Sequence, residues 1–286
     1  MHDIIFGMAK FNSQNYGIGK TANIKSIKRG INLLEYIYFE KGISTFELSN
    51  RYDYSKKILS MFVKKYNCKL NIFYKIDKLT IRKIKFLEVM DDLKKTQDSL
   101  KINNFANITL HQNEYKIISN KKILLLLEQL KKSKLTKLLG TSIYSKNELL
   151  YSINQNLFDT IQIPVSPANS YLYNIFSSQN IKKKIIARSI FLQGSLLNKI
   201  TSHKFKFEIN QLKSKVNYLS KKYNISYNKT INHFVQNLKN IDYILLGSSN
   251  KKNINKFLKS YKLDKNLMND IIKISSKNEK WKNIKN

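Results

Sequence analysis

Short apolar runs alternate with stretches of helical periodicity along nearly the whole chain. Asp3 to Ala9, built on Ile4-Ile5-Phe6, reads as a strand, and Gly17 and Gly19 mark the loop after it. From about Ile27 the residues Ile31, Leu33, Leu34, Ile37 and Tyr38 form one helical face. Gly42 then stands where a C-cap glycine ends such a helix. Ile43 to Phe46 is a second strand, and Tyr54 to Tyr66 a helix with Ile58, Leu59, Phe62 and Val63 inward. The alternating run Lys69 to Lys75 is the third strand, Ile84 to Leu100 a helix, and Asn107 to His111 the fourth strand. Ile123 to Leu130 lies in a helix, and Lys137 to Ser142 is the fifth strand. A short helix follows it, with Ser145 and Glu148 as a capping box. Phe158 to Ile163, stopped by Pro164, is the sixth strand, and Lys184 to Ser189 the seventh. Helices over about Glu208–Tyr223 and Asn228–Lys239 precede an eighth strand, Tyr243 to Leu246. A last helical pair covers about Lys251–Tyr261 and Leu263–Ile274. The polar stretch Lys277 to Asn286 is expected to fray.

Eight short strands, each followed by helical signal and with no Pro/Gly-rich linker between them, predict one α/β domain. The expected fold is a (β/α)8 TIM barrel over residues 1–286. A hydrophobic fraction of 42% in 286 residues allows a core of that size. Cys68 is the one cysteine, which excludes an intrachain disulfide and suits a reducing compartment. Met1-His2-Asp3 leads directly into a strand and no apolar run is long enough to span a bilayer, so a cytoplasmic protein without a membrane partner is expected.

The formal charge of +33 raises the question of nucleic acid. Only four of the 52 basic residues are arginine, the side chain whose planar fork favours specific phosphate and base contacts. The lysines are spread along the chain, so no specific nucleic-acid partner is expected. A polyanion-binding protein is the reading that the charge alone motivates.

The stretch GISTFELSNRYDY from Gly42 sets a carboxylate, Glu47, at a predicted strand end and a phenol, Tyr52, in the loop after it. Lys75 and His111 arrive at the ends of the next two strands. In a barrel these ends converge on one mouth, so residues distant in sequence meet. A phenol, with a pKa near ~10, is a reluctant acid at neutral pH, and an adjacent ammonium favours its phenolate. A carboxylate can hold that ammonium, and an imidazole can orient a carbonyl oxygen. The four histidines lack metal spacing, and there is neither a Gly-x-Gly-x-x-Gly motif nor a P-loop.

These residues resemble the aldo/keto reductases, which carry Asp, Tyr, Lys and His at successive strand ends of a (β/α)8 barrel. FGMAKFNSQNYGIGK at the N-terminus resembles the family's Gly-x-Ala-x-Phe-Gly-x-x-Tyr-Gly-Ile opening. GTSIYSKNEL from Gly140, FDTIQIP from Phe158, ARSIFLQGSLL from Ala187 and DYILLGSS from Asp242 follow in the family's order. The opening and ARSIFLQG most resemble members associated with surface-polysaccharide sugar metabolism. The resemblance implies an NAD(P)H-dependent oxidoreductase that transfers hydride to an aldehyde, ketone or sugar-derived carbonyl. Tyr52 would be the proton donor, with Lys75, His111 and Glu47 completing the catalytic set. For the cofactor it implies Ser142 and Gln162 at the nicotinamide amide, Arg188 at the ring or the phosphates, and Ser189, Leu192, Gln193 and Gly194 under the pyrophosphate. Gly247, Ser248, Ser249 and Asn253 are implied at the strand-eight loop and the helix after it.

The chain departs from the family at several of these places. Glu47 replaces aspartate, Asp53 replaces the glycine after the tyrosine, and Lys56 replaces a glutamate, while Tyr54 is a rival acid. Ser249 stands where many members have a basic residue for the 2′-phosphate, with Lys251 and Lys252 nearby, and Phe257 replaces an asparagine at the adenine. NADP is therefore the expected cofactor and NAD the other possibility. The alternative to a reductase is a catalytically impaired nucleotide-binding barrel that acts as a partner or regulator. Substrate specificity is expected in the polar segments Asn12–Asn15 and Ser166–Asn180.

Overall fold

In the computed structural model of this chain, the apolar runs pair as parallel strands in chain order: β1 (Asp3–Gly7), β2 (Thr45–Ser49), β3 (Asn71–Ile76), β4 (Phe105–Leu110), β5 (Thr136–Ser142), β6 (Thr160–Pro164), β7 (Lys184–Arg188) and β8 (Tyr243–Leu246). β8 returns to β1, with Ile4 opposite Ile244, and closes the barrel. The structure describes residues 2–11, 24–77, 79, 86–111, 114–179, 181–200, 203–259 and 262–275. The segments 12–23 of the N-terminal motif, 84–85 at the start of the third helix, and 276–286 lie outside them, as do Asn12–Asn15 and Asn180 of the specificity segments.

The helices alternate with the strands as the periodicity requires. After β1 comes α1 (Ile27–Glu35), continued by a π-helical turn Tyr36–Glu40 that Gly42 closes at φ +65°. Next come α2 (Asp53–Tyr66), α3 (Phe86–Leu100), α4 (Tyr115–Ile118), α5 (Lys121–Lys132), α6 (Lys146–Asn154) and α7 (Tyr171–Ser177). The last four are α8 (Lys206–Lys222), α9 (Tyr227–Gln236), α10 (Lys251–Leu258) and α11 (Lys265–Ile274). The capping box at α6 is formed, Ser145 Oγ accepting from the Glu148 N–H and the Glu148 carboxylate from the Ser145 N–H. The short helices α4 and α7 were not foreseen, since one or two turns carry too little periodicity to read. No helix among the described residues is long and apolar enough to cross a membrane.

Strand alternation divides the core in two. Phe6, Phe46, Leu48, Ile72, Tyr74, Ile108, Leu139, Ile161 and Ile244 face outward into one large apolar cluster with the inner faces of the helices, among them Leu34, Ile58 and Phe62. The alternate positions line the barrel. Ile5, Phe73 and Ile186 form a small apolar cluster there, and the rest of this inner set is unusually polar: Glu47, Lys75, Asn107, Thr109, Ser142, Thr160, Gln162 and Arg188 are all buried. Such groups persist in a core only if they bond one another. Asn107 donates to Thr109 Oγ1 (2.7 Å) and accepts from Thr160 Oγ1 (3.1 Å). Gly140, opposite Thr160 in the ladder, makes this crossing possible, because a Cβ there would fall 2.0 Å from Thr160 Oγ1.

Three sequence expectations change. β2 continues two residues past Glu47, because Leu48 is a fully buried outward residue and Ser49 pairs with Lys75. Glu47 therefore sits in mid-strand. Pro164 is the last paired residue of β6, opposite Arg188, where its missing N–H costs no ladder bond. His111 lies one residue beyond β4, its N–H donating to the Ile76 carbonyl at 2.9 Å.

Candidate active site

The C-terminal ends of the strands surround a cavity of about 320 Å³ lined by Glu47, Tyr52, Lys75 and His111 together with residues of the β7 and β8 loops. Among the described lysines Lys75 alone is buried. Its ammonium lies 2.8 Å from Glu47 Oε1, with both side chains about 6% exposed. Burial pushes the Lys75 ammonium below its usual range; the Glu47 carboxylate opposes that shift and the Arg188 guanidinium adds to it. The longer carboxylate thus reaches the lysine, and its second oxygen accepts a hydrogen bond of 2.6 Å from Gln162 Nε2.

Tyr52 is the N-cap residue of α2, fixed by its N–H to the Ser49 carbonyl (3.0 Å) and by its carbonyl, which accepts from the Lys56 N–H (2.9 Å). The rival Tyr54 donates its hydroxyl to the Lys25 carbonyl at 2.7 Å and does not line the cavity. Asp53 and Lys56, the two departures beside the tyrosine, pair with each other at 3.1 Å. Lys56 also reaches Asp92 of α3 at 2.9 Å, which ties the start of α2 to its neighbour.

His111 is held by a carboxylate that the sequence reading overlooked. Asp77 Oδ2 lies 3.0 Å from His111 Nδ1 and 2.8 Å from Arg51 Nη1. The Asp77 backbone is clamped by Asn50, which accepts from its N–H and donates to its carbonyl. The available signal was an acid two residues beyond Lys75, where β3 gives way to its loop.

The expected cofactor positions divide. Arg188, Ser189, Gln193, Gly194, Gly247, Ser248, Ser249 and Asn253 line the cavity. Ser142 and Gln162 do not: both are fully buried beneath it. Ser142 Oγ accepts from Arg188 Nε (3.1 Å) and donates to Gln162 Oε1 (3.2 Å), while Gln162 donates on to Glu47. This chain of bonds places them under the wall because the barrel interior is polar and must satisfy itself. Leu192 is also off the wall, buried in a small cluster with Leu196 and Ile209. Phe257 is buried against Phe191. Tyr144, which the sequence reading did not single out, lines the cavity with the Arg188 guanidinium stacked over its ring at 3.9 Å. The loop from Ser189 to Gly194 carries four residues at positive φ, three of them non-glycine, a concentration of backbone strain found at ligand sites.

No family model matches this chain, and no curated protein does. Solved structures do. The holo form of the aldo-keto reductase AKR11C1 from Bacillus halodurans has a TM-score of 0.74 at 12% identity, over 96% of this chain and 92% of that one. The thermostable aldo-keto reductase Tm1743, solved with the inhibitor epalrestat, has a TM-score of 0.69 at 14% identity, over 96% and 95%. The glycerol dehydrogenase AKR11B4 from Gluconobacter oxydans has a TM-score of 0.67 at 14% identity, over 95% and 90%. At these identities the likeness establishes architecture, and the chain has the eight-stranded barrel fold of the aldo-keto reductases.

Proposed function

We propose that this chain is an NAD(P)H-dependent reductase of aldehydes, ketones or sugar-derived carbonyls. The observation that carries the proposal is the buried Lys75–Glu47 pair at 2.8 Å, on the wall of the one cavity that Tyr52 and His111 also line. A nicotinamide cofactor, when held here, would supply the hydride for the carbonyl carbon. Tyr52 gives its proton to the carbonyl oxygen, and the Lys75 ammonium stabilises the phenolate left behind. Glu47 holds that ammonium, and Gln162 holds Glu47. With His111 Nδ1 engaged by Asp77, the carbonyl oxygen is assigned to the Nε2 edge.

The residues fit a dinucleotide. α10 starts on the cavity with Asn250 as its N-cap, and helix N-termini attract phosphate. Gly247 lines the cavity beside this N-terminus. Arg188 and Lys256 supply positive charge. Lys251 is turned to the Tyr36 ring, and Lys256, which lines the cavity, is the proposed 2′-phosphate partner. Titration with NADPH and NADH, read by cofactor fluorescence, should give saturable binding that favours NADPH, and an aldehyde panel should then show NADPH oxidation. Tight binding without turnover on any aldehyde or sugar would instead support the nucleotide-binding regulator, a reading favoured by the withdrawal of Ser142 and Gln162 beneath the wall. Absence of binding would remove both.

The glutamate provides a further prediction. Glu47 spans two partners, and removing one methylene shortens its reach by about 1.5 Å. Glu47→Asp should then lose either Lys75 or Gln162, and kcat/KM should fall about tenfold, roughly 1.4 kcal/mol at the barrier. A rise in kcat/KM would mean that glutamate impairs the natural protein.

A further inference from the structure

Most charges on the cavity wall have partners. Glu47 answers Lys75, Asp77 holds His111, and Arg188 is bonded to Ser142, Ser189 and the Ile143 carbonyl. Lys10 is different. It lines the cavity, half-buried, and no carboxylate among the described residues lies within ion-pair distance of its ammonium. Burial alone pushes that ammonium below its usual range. A desolvated cation without a counter-charge is unfavourable until an anion arrives.

The position of Lys10 is fixed with respect to the proposed acid. It ends a short 3-10 turn, Met8–Lys10. Ser55 Oγ lies 2.9 Å from the Met8 carbonyl and 2.8 Å from the Phe11 carbonyl, on either side of Lys10, and shares its one proton between them. Ser55 is fully buried in the first turn of α2, the helix whose N-cap is Tyr52. Lys10 and Tyr52 are therefore carried by two segments that a buried hydroxyl joins. The β7 and β8 side of the cavity has its own cations in Arg188, at the end of β7, and Lys256, in α10.

Resting on the reductase reading above, we propose that Lys10 recognises an anionic oxygen group carried by the carbonyl substrate, so that this cavity selects acidic aldehydes or ketones. The same ammonium would also attract a cofactor phosphate, and the test separates the two sources. The probes are 4-carboxybenzaldehyde and its neutral analogue 4-formylbenzamide, with NADPH, on the full chain. The wild-type protein should favour the carboxylate by tenfold or more in kcat/KM, and Lys10→Gln should bring that ratio close to one. Lys10→Glu should turn the preference toward the amide. NADPH affinity should move less than threefold in Lys10→Gln. An equal ratio in the wild-type protein, or a ratio that survives Lys10→Gln, would overturn the proposal. So would a tenfold loss of NADPH affinity with the substrate ratio intact, which would assign the lysine to a cofactor phosphate. Calorimetric binding of 4-carboxybenzaldehyde, with and without NADP, keeps the inference testable if there is no turnover. Binding that Lys10→Gln abolishes would support the anion site while the reductase reading fails, and binding indifferent to Lys10→Gln would overturn it.

Discussion

Replacing Lys75 with methionine is expected to abolish aldehyde-dependent NADPH oxidation and to destabilise the fold by about 3–5 kcal/mol, the usual cost of removing one partner of a buried ion pair. Glu47 and Lys75 are both about 5% exposed, so the carboxylate is left largely desolvated when its ammonium is gone. The hydrogen bond from Gln162 remains, but one neutral donor does not replace a cation at 2.8 Å. The double substitution Lys75→Met with Glu47→Gln removes the stranded charge and should recover most of the lost stability while leaving turnover absent. Urea denaturation of the two variants beside the wild-type protein checks this. A single variant as stable as the wild-type protein would mean that the pair is not desolvated in solution, and the account of how Tyr52 is activated would lose its basis.

The sequence made the scaffold legible and the interior of the site only partly so. Strand eight was read at its observed bounds, and the other strands to within a residue or two at most ends, because a parallel strand buried on both faces is a short, nearly continuous apolar run. The capping box at Ser145 and the glycine closure at Gly42 were legible for the same reason, since each is decided by neighbours in the chain. Contacts made by barrel closure were not. Glu47 looked like a strand end because the polar Glu47 interrupts the apolar run, yet Leu48 belongs to the outer core. Ser142 and Gln162 are read from the sequence as cofactor contacts, and barrel closure brings them non-adjacent strands, β7 with Arg188 and β2 with Glu47, that bond their side chains. Asp77 joins Arg51 and His111 across three loops, a meeting that no local spacing encodes. Lys10, one lysine in a lysine-rich sequence, is distinguished only by where it is buried and by what does not accompany it.

Tyr52 carries the central claim. In a phenylalanine variant the ring and the α2 N-cap backbone bonds to Ser49 and Lys56 are retained, so the cavity keeps its shape while the transferable proton is removed. Loss of a positioned general acid costs about 10²–10⁴-fold, and here the Lys75–Glu47 pair is left with no phenolate to stabilise. Tyr54→Phe is the matched control, because that hydroxyl is bonded to the Lys25 carbonyl outside the cavity. The most direct measurement is the rate of aldehyde-dependent NADPH oxidation by Tyr52→Phe, taken beside its NADPH affinity and compared with the wild-type protein and Tyr54→Phe. A fall of about 10³-fold with NADPH affinity within threefold, and Tyr54→Phe within twofold of wild type, is the predicted result. Turnover by Tyr52→Phe within tenfold of the wild-type rate would contradict the assignment of Tyr52 as the proton donor.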